Sequence, residues 1–168
     1  MLASPTEEIT IRRELHGGDA LAMVDLHRRV YCPEYGRNER FVRAVAESLA
    51  GKIAQGWPAT GGAVWLLERG GRLVGSLGLT VEGPGLGQVR WVVFEEALRG
   101  LGLGRSLVQE LVATARAVGM HTLQLQTFSD LRTAAHLYRE VGFRVVWERQ
   151  RDDWGESMTY QGYEASLR

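Results

Sequence analysis

Arg99-Gly100-Leu101-Gly102-Leu103-Gly104-Arg105-Ser106-Leu107 sets three glycines at alternate positions between two arginines. Just upstream, Gln88-Val89-Arg90-Trp91-Val92-Val93-Phe94 reads as a strand whose second half is apolar at nearly every position, as in a strand buried on both faces. Just downstream, Leu107, Val108, Leu111, Val112, Ala115 and Val118 form one helical stripe that Gly119 closes. A glycine turn between strand and helix leaves main-chain N–H groups bare. The helix N-terminus adds partial positive charge, so the segment suits a diphosphate. Arg99 and Arg105 are placed to pair with phosphate oxygens. The same glycines would equally serve a turn that only lets strand and helix pack closely.

Two phosphate loops do not fit. The dinucleotide fingerprint G-x-G-x-x-G requires a third glycine where Arg105 or Leu107 stands, and no run of βα units follows. A P-loop requires a lysine followed by serine or threonine, which is missing here.

Outward from this segment, Leu123 to Thr127 reads as the next strand, so strand, helix and strand make a right-handed βαβ unit. A shorter helix from about Thr133 to Val141 stops at Gly142. Phe143–Arg149 and Met158–Glu164 read as two closing strands around the polar stretch Gln150–Glu156. Towards the N-terminus, Ile9–Arg13 alternates as a short strand, and Gly17-Gly18-Asp19 breaks the chain and offers an N-cap. A helix from Ala20 ends before Pro33, a second spans Glu39–Ala54, and Gly56–Gly62 is a loop. Strands Ala63–Glu68 and Leu73–Val81 are joined by a tight hairpin at Gly70-Gly71, and Gly83-Pro84-Gly85 turns the chain again. The fold class is α/β, a mixed sheet with an antiparallel front half and one parallel βαβ unit behind.

At 168 residues the chain fits one domain, residues 1–168, with enough length to bury a core. Twenty basic residues balance twenty acidic ones, at a pI near 6.9, which leaves no basic footprint for nucleic acid or an anionic membrane. Cys32 is the only cysteine, which excludes an internal disulfide and a thiolate zinc site; no metal is expected. Met1–Glu8 is polar, without the apolar centre of a signal peptide, and no apolar run reaches the roughly 18 residues of a membrane span. The expected location is the cytoplasm.

The pattern R-x-x-G-x-G over Arg99–Gly104 resembles the pyrophosphate loop of the GNAT superfamily of acyl-CoA-dependent N-acyltransferases. The resemblance continues in Ala134-Ala135-His136-Leu137-Tyr138-Arg139-Glu140-Val141-Gly142-Phe143, a helix ending in a tyrosine, three residues and Gly-Phe. Leu131–Phe143 and Val89-Arg90-Trp91 look like the acetyltransferase half found fused to MarR-type regulators in bacteria. The resemblance is specific in its motifs from about Gln88 to Phe143 and architectural over about Ile9 to Leu167. It implies a sheet of about seven strands with about four helices, whose parallel unit splays to admit the cofactor. Acetyl-CoA is then the co-substrate and an amine the acceptor. By position, Val92, Val93 and Phe94 would offer main-chain bonds to pantetheine, one N–H near Val92 or Val93 polarising the thioester carbonyl. Arg99, Gly100, Leu101, Gly102, Leu103, Gly104 and Arg105 would hold the diphosphate. Tyr138 matches the general acid that protonates the departing thiolate; without the family, it reads as a core tyrosine beside Ala134, Leu137 and Val141.

Two departures from the family pattern stand out. Gln88 and Gln126 occupy the positions where members carry a catalytic glutamate, and Leu131 replaces an asparagine seven residues before the tyrosine. An amide takes no proton. The base would then be a water chain or a carboxylate elsewhere, such as Glu34, Glu39 or Glu82, with His27 as another candidate. Lacking a placed carboxylate, the pattern favours acceptors of low amine pKa. The acceptor, a small molecule or a peptide amine, would be shaped by Tyr31–Arg40, with Tyr31, Glu34, Tyr35 and Arg37 as candidate contacts, and by Trp154 and Tyr160. The partners expected are that acceptor alone, with a homodimer left open. A second reading from another class is a catalytically weak CoA-binding sensor or regulatory module, which the missing glutamates would suit.

Overall fold

In the computed structural model, which describes residues 8–168, the elements run in the order β1 (Thr10–Arg12), α1 (Asp19–Tyr35), α2 (Glu39–Ala54), β2 (Ala63–Arg69), β3 (Arg72–Gly83), β4 (Leu86–Phe94), a 3₁₀ turn (Glu96–Leu98), α3 (Leu103–Ala117), β5 (Thr122–Phe128), α4 (Arg132–Glu140), β6 (Arg144–Arg151) and β7 (Met158–Ser166). The strands form one sheet of seven in the order β1-β2-β3-β4-β5-β7-β6. Among the described residues only β4 and β5 pair in parallel; every other neighbour is antiparallel. The strand and helix numbers, the antiparallel front half and the single parallel pair are those the sequence led us to expect. The Gly70-Gly71 hairpin forms as anticipated, with Arg69 opposite Arg72 and both glycines at positive φ, as a two-residue primed turn requires.

Two apolar layers cover the two faces of the sheet. Leu107, Leu111 and Ala115 of α3 pack with Leu123 and Leu125 beneath one face. Met23 and Leu26 of α1 and Val42, Val45 and Leu49 of α2 cover the other.

The decisive irregularity lies in β4. Its parallel pairing with β5 covers only Leu86–Gln88 against Thr122–Gln124. Past that point the strands part. On its other side the register with β3 jumps between Gly78↔Arg90 and Ser76↔Val93, leaving Trp91 as the extra residue at φ 53. A bulky residue there costs about 1–3 kcal/mol and persists only where its surroundings over-determine it. Here Ser76 Oγ donates to the Trp91 carbonyl at 2.6 Å, and Trp91 Nε1 donates to Ser48 Oγ at 2.8 Å. The indole packs against Trp57 at 4.8 Å between centroids, and it lies on Gly78, where an added Cβ would sit 2.7 Å from the ring. The bulge bends β4 away from β5 and opens the sheet.

Three expectations are corrected. The first helix does not stop before Pro33 but runs through it to Tyr35. A proline so close to a helix C-terminus forfeits one hydrogen bond in the last turn. Gly36, at φ 65, closes that turn with N–H bonds from Gly36 to Cys32 O and from Arg37 to Tyr31 O, in the manner of a Schellman cap. Asp19 does not cap the helix. It lies inside the first turn and forms a two-bond pair with Arg12, at 2.6 and 2.8 Å, which ties α1 to the sheet edge. The apolar half of β4 is not buried on both faces. Trp91 and Val93 are buried, but Val92 and Phe94 are half-exposed because β5 has diverged from their side.

Candidate active site

The divergence of β4 and β5 opens a cavity of about 890 Å³ that reaches from the start of α3 to the space between α1, α2 and β7. Three stretches of its wall have different chemistry.

At one end lies the glycine turn. Gly100 and Gly102 stand at φ 79 and 77, and an added Cβ at either would meet no atom within 4 Å. The glycines thus serve the turn's conformation and leave open space over its main chain. The first backbone bond of α3 runs from Ser106 N to Gly102 O, so the N–H groups of Leu103, Gly104 and Arg105 have no partner inside the helix. All the residues of the turn except Leu101 line the cavity; the Leu101 side chain points to solvent, 60% exposed. Both arginines are already engaged. Arg99 grips Glu34 with two bonds, at 2.7 and 3.0 Å, and donates to the Phe94 carbonyl at 3.0 Å. Arg105 pairs with Glu140 at 2.6 Å.

In the middle stand Tyr138 and the bent part of β4. Tyr138 is 4% exposed, with its ring edge-on to Phe143 and Tyr163. Burial pushes its phenol above the usual tyrosine value, which keeps it protonated across the neutral range. The side chain lines the cavity, and its hydroxyl makes no hydrogen bond to the described residues. Across from it, the Tyr31 hydroxyl donates to the Val92 carbonyl at 3.0 Å. Val92, Val93 and Phe94 all line this stretch.

At the far end α1, α2, β5 and the β6–β7 hairpin meet. Because α1 continues through Pro33, His27, Tyr31 and Tyr35 recur every fourth residue on one face and all line the cavity. Phe41, Phe128, Trp154 and Tyr160 form an aromatic cluster with centroids 5.2–6.2 Å apart. Its ring faces are covered by the protein's own cations: Arg37 lies 4.0 Å over Phe128 and Arg151 3.3 Å over Trp154. Gln126 accepts from the Tyr160 hydroxyl at 2.7 Å. Gln88 accepts from Arg90 and from Gln124, both at 3.2 Å.

None of the carboxylates suggested by the sequence lines this cavity. Glu34 faces away, towards Arg99 and a smaller pocket shared with Arg29 and Arg72. Glu39 is exposed and held below the usual glutamate range by its bond with Arg28, 3.1 Å away. Glu82 is pushed up by burial, but hydrogen bonds from Thr80, Arg90 and Lys52 outweigh this and hold it low. His27 does face the cavity, yet burial pulls its pKa down to about 4, and Nδ1 lies 2.7 Å from the Met23 carbonyl. Cys32 is off the wall, its thiol pushed up by burial. Two carboxylates not singled out from the sequence do line the cavity, Asp130 and Glu140. Asp130 had one available signal: it follows the carboxyl end of a strand flanking a parallel crossover, where ligands of α/β sheets collect.

A profile of the acetyltransferase (GNAT) family matches residues 22–143, which includes β4, the glycine turn and Tyr138. An uncharacterized N-acetyltransferase of Escherichia coli is 29% identical over 85% of this chain and 86% of its own length. A mycothiol acetyltransferase of Thermomonospora curvata is 31% identical over 80% of this chain, which spans only 44% of that protein. Among solved structures, a GNAT-family acetyltransferase of Staphylococcus aureus superposes with a TM-score of 0.74 at 19% identity, covering 96% of this chain and 100% of the other. A Salmonella typhimurium structure with its cofactor acetyl-CoA superposes at 0.72 and 21% identity, covering 96% and 95%. The chain belongs to the GNAT family of N-acetyltransferases.

Proposed function

We propose that this protein transfers the acetyl group of acetyl-CoA directly to a primary amine of a small molecule or peptide. The observation that carries the reading is Tyr138: a buried, protonated phenol with a free hydroxyl, facing the cavity where β4 leaves β5. The residues present suit the co-substrate. The open main chain of Gly100–Gly104 and the unpaired N–H groups of α3 would receive the diphosphate, and the exposed edge of Val92–Phe94 would receive the pantetheine arm. When bound, acetyl-CoA supplies a thioester whose carbonyl a β4 main-chain N–H would polarise. Tyr138 would then give its proton to the leaving sulfur. Leu101 would contribute through its main chain only.

The sensor alternative has the two glutamines in its favour, but an acid with no other partner favours turnover. We infer a single catalytic domain working in the cytoplasm; no helix among the described residues is long and apolar enough to cross a membrane. The test is a panel of amines assayed by thiol release from acetyl-CoA, together with thermal unfolding in CoA, NAD and ATP. Acetylation of one amine class, with stabilisation by CoA alone, is the expected result. Stabilisation by CoA without turnover of any amine would move the protein to the sensor reading.

A further inference from the structure

The family pattern offers glutamines where a base is expected, yet an alkylamine reaches the enzyme as a cation and needs an anion to hold it. The cavity has two carboxylates on its wall, among the described residues, and their situations differ. Glu140 stands at the glycine-turn end with both oxygens engaged, one by Arg105 at 2.6 Å and one by His136 at 2.9 Å. Asp130 stands at the aromatic end, half-exposed. Its Oδ1 accepts from Arg37 at 2.8 Å, while Oδ2 has no partner among the described residues.

The support behind Asp130 is buried. The Arg37 side chain is 3% exposed, its Nη1 donates to the Tyr35 carbonyl at 2.7 Å, and its guanidinium lies on Phe128. One Asp130 oxygen is thus fixed from behind while the other is left open. Among the other charged groups on this part of the wall, Arg151 is matched by Asp153 at 2.6 and 2.9 Å, and Arg90 by Glu82 at 2.9 Å. Arg132 follows two residues later at the start of α4. Tyr31, bonded to β4 at Val92, lines the same cavity as Asp130 and Tyr138.

We propose that Asp130 receives the ammonium group of the acceptor and is the first acceptor of its proton, so that the natural acceptor is an alkylamine, cationic in solution, rather than a weakly basic aryl amine. This rests on the acetyltransferase reading above and deepens it. The carboxylate takes one proton from the ammonium and releases it to water. The freed nitrogen lone pair forms the bond to the thioester carbonyl carbon. The C–S bond breaks with its electron pair on sulfur, which takes the Tyr138 proton. The second nitrogen proton returns to the phenolate through water. Ammonium and thioester give amide, thiol and one released proton, and both side chains are restored.

The experiment compares an alkylamine with two acceptors that are uncharged at neutral pH, an aryl amine and hydroxylamine, in the wild type and in Asp130→Asn. The expected result is a fall of about 10²-fold in kcat/KM for the alkylamine, in KM through the lost ammonium contact and in kcat through the lost proton acceptor, with the uncharged acceptors changed by less than about threefold and the CoA-induced thermal shift retained. Since Asp130→Asn leaves the buried Arg37 charge without its partner, the same ratio is read in Arg37→Gln/Asp130→Asn, which leaves no lone charge behind. Asp130→Glu should recover part of the alkylamine rate. Equal losses for charged and uncharged acceptors, or no loss for the alkylamine, would overturn the assignment of Asp130. A wild type that acetylates no amine at all would instead overturn the proposed function.

Discussion

The two ends of the cavity are made in different ways. The glycine-turn end is one consecutive stretch, Arg99–Arg105, whose open main chain we propose as the binding surface, so its chemistry is written in one short segment. The aromatic end is assembled from side chains of α1, α2, β5, β6 and β7, joined by contacts such as Asn38 Nδ2 to the Asp153 carbonyl, 115 positions apart. A site made of main chain tolerates almost any side chain that points outward, as exposed Leu101 does. A site made of side chains depends on each of them, and on the fold that brings them together. Substitutions should therefore act differently at the two ends.

The largest effect is expected at the glycine turn. Gly102→Ala meets open space within the protein, and its positive φ costs about 1–2 kcal/mol, which a folded domain tolerates. The new methyl would occupy the space through which a diphosphate reaches the main chain. Saturation at about 100 times Kd stabilises the wild type by roughly 2.7 kcal/mol; a hundredfold loss of affinity leaves roughly 0.4 kcal/mol at the same concentration. Leu101→Ala should change nothing measurable. Loss of the CoA thermal shift in Leu101→Ala but not in Gly102→Ala would reverse the main-chain assignment.

Tyr138 stands where the two ends meet, and its removal should touch chemistry alone. Tyr138→Phe deletes one hydroxyl that has no partner among the described residues, so the packing with Phe143 and Tyr163 is kept. The expected result is a drop in kcat of about 10²-fold, at the low end for a positioned acid because water substitutes in part, with CoA affinity unchanged. Single-turnover thiol release separates this from slow product release. A wild-type rate in the variant would return Tyr138 to the core.

How much of this was legible follows from the same distinction. The βαβ unit, the glycine turn and Tyr138 could be read because each depends on spacing within one segment. The continuation of α1 through Pro33 could not, since the proline predicts a stop and the Gly36 cap that offsets it becomes visible only in three dimensions. Because the helix continues to Tyr35, Glu34 turns towards Arg99 while Tyr31 and Tyr35 line the cavity. The Trp91 bulge was equally hidden, since its support comes from Ser48, Ser76 and Trp57 on other elements. Asp130 carried only its position after a strand.

His27 gives a smaller test at the aromatic end. Burial pulls its pKa from about 6.5 to about 4, so the folded protein holds it neutral. An unfolded chain takes up a proton below pH 6.5 and the folded one does not. Stability should therefore be at its full value above pH 6.5 and fall as pH drops towards 4, by up to about 3 kcal/mol from this residue. Thermal unfolding from pH 7 to 4 should show less loss in His27→Gln than in the wild type. A limb near pH 6.5 in kcat/KM that disappears in His27→Gln would mean instead that this histidine exchanges protons with the acceptor.

The smallest effect concerns the contact that joins the two ends. Helix α1 places Tyr31 and Tyr35 at the aromatic end and Glu34 against Arg99 at the glycine turn. An arginine already bonded to a carboxylate must give up that partner before it can pair with a phosphate. The pair is about one third exposed, and such pairs contribute about 0–1 kcal/mol, so the exchange should cost little. Glu34→Gln leaves a neutral acceptor of the same shape and frees the Arg99 charge. If Arg99 turns to the diphosphate, Kd for CoA should fall about threefold in Glu34→Gln and rise in Arg99→Ala, and Glu34→Gln should have no effect once Arg99 is absent. If the pair serves instead to hold α1 in place, Kd for CoA will stay the same and KM for the acceptor will rise, because Tyr31 and Tyr35 move with the helix. A double-mutant cycle read on both constants separates the two, and the constant that changes identifies which end of the cavity the Glu34–Arg99 pair serves.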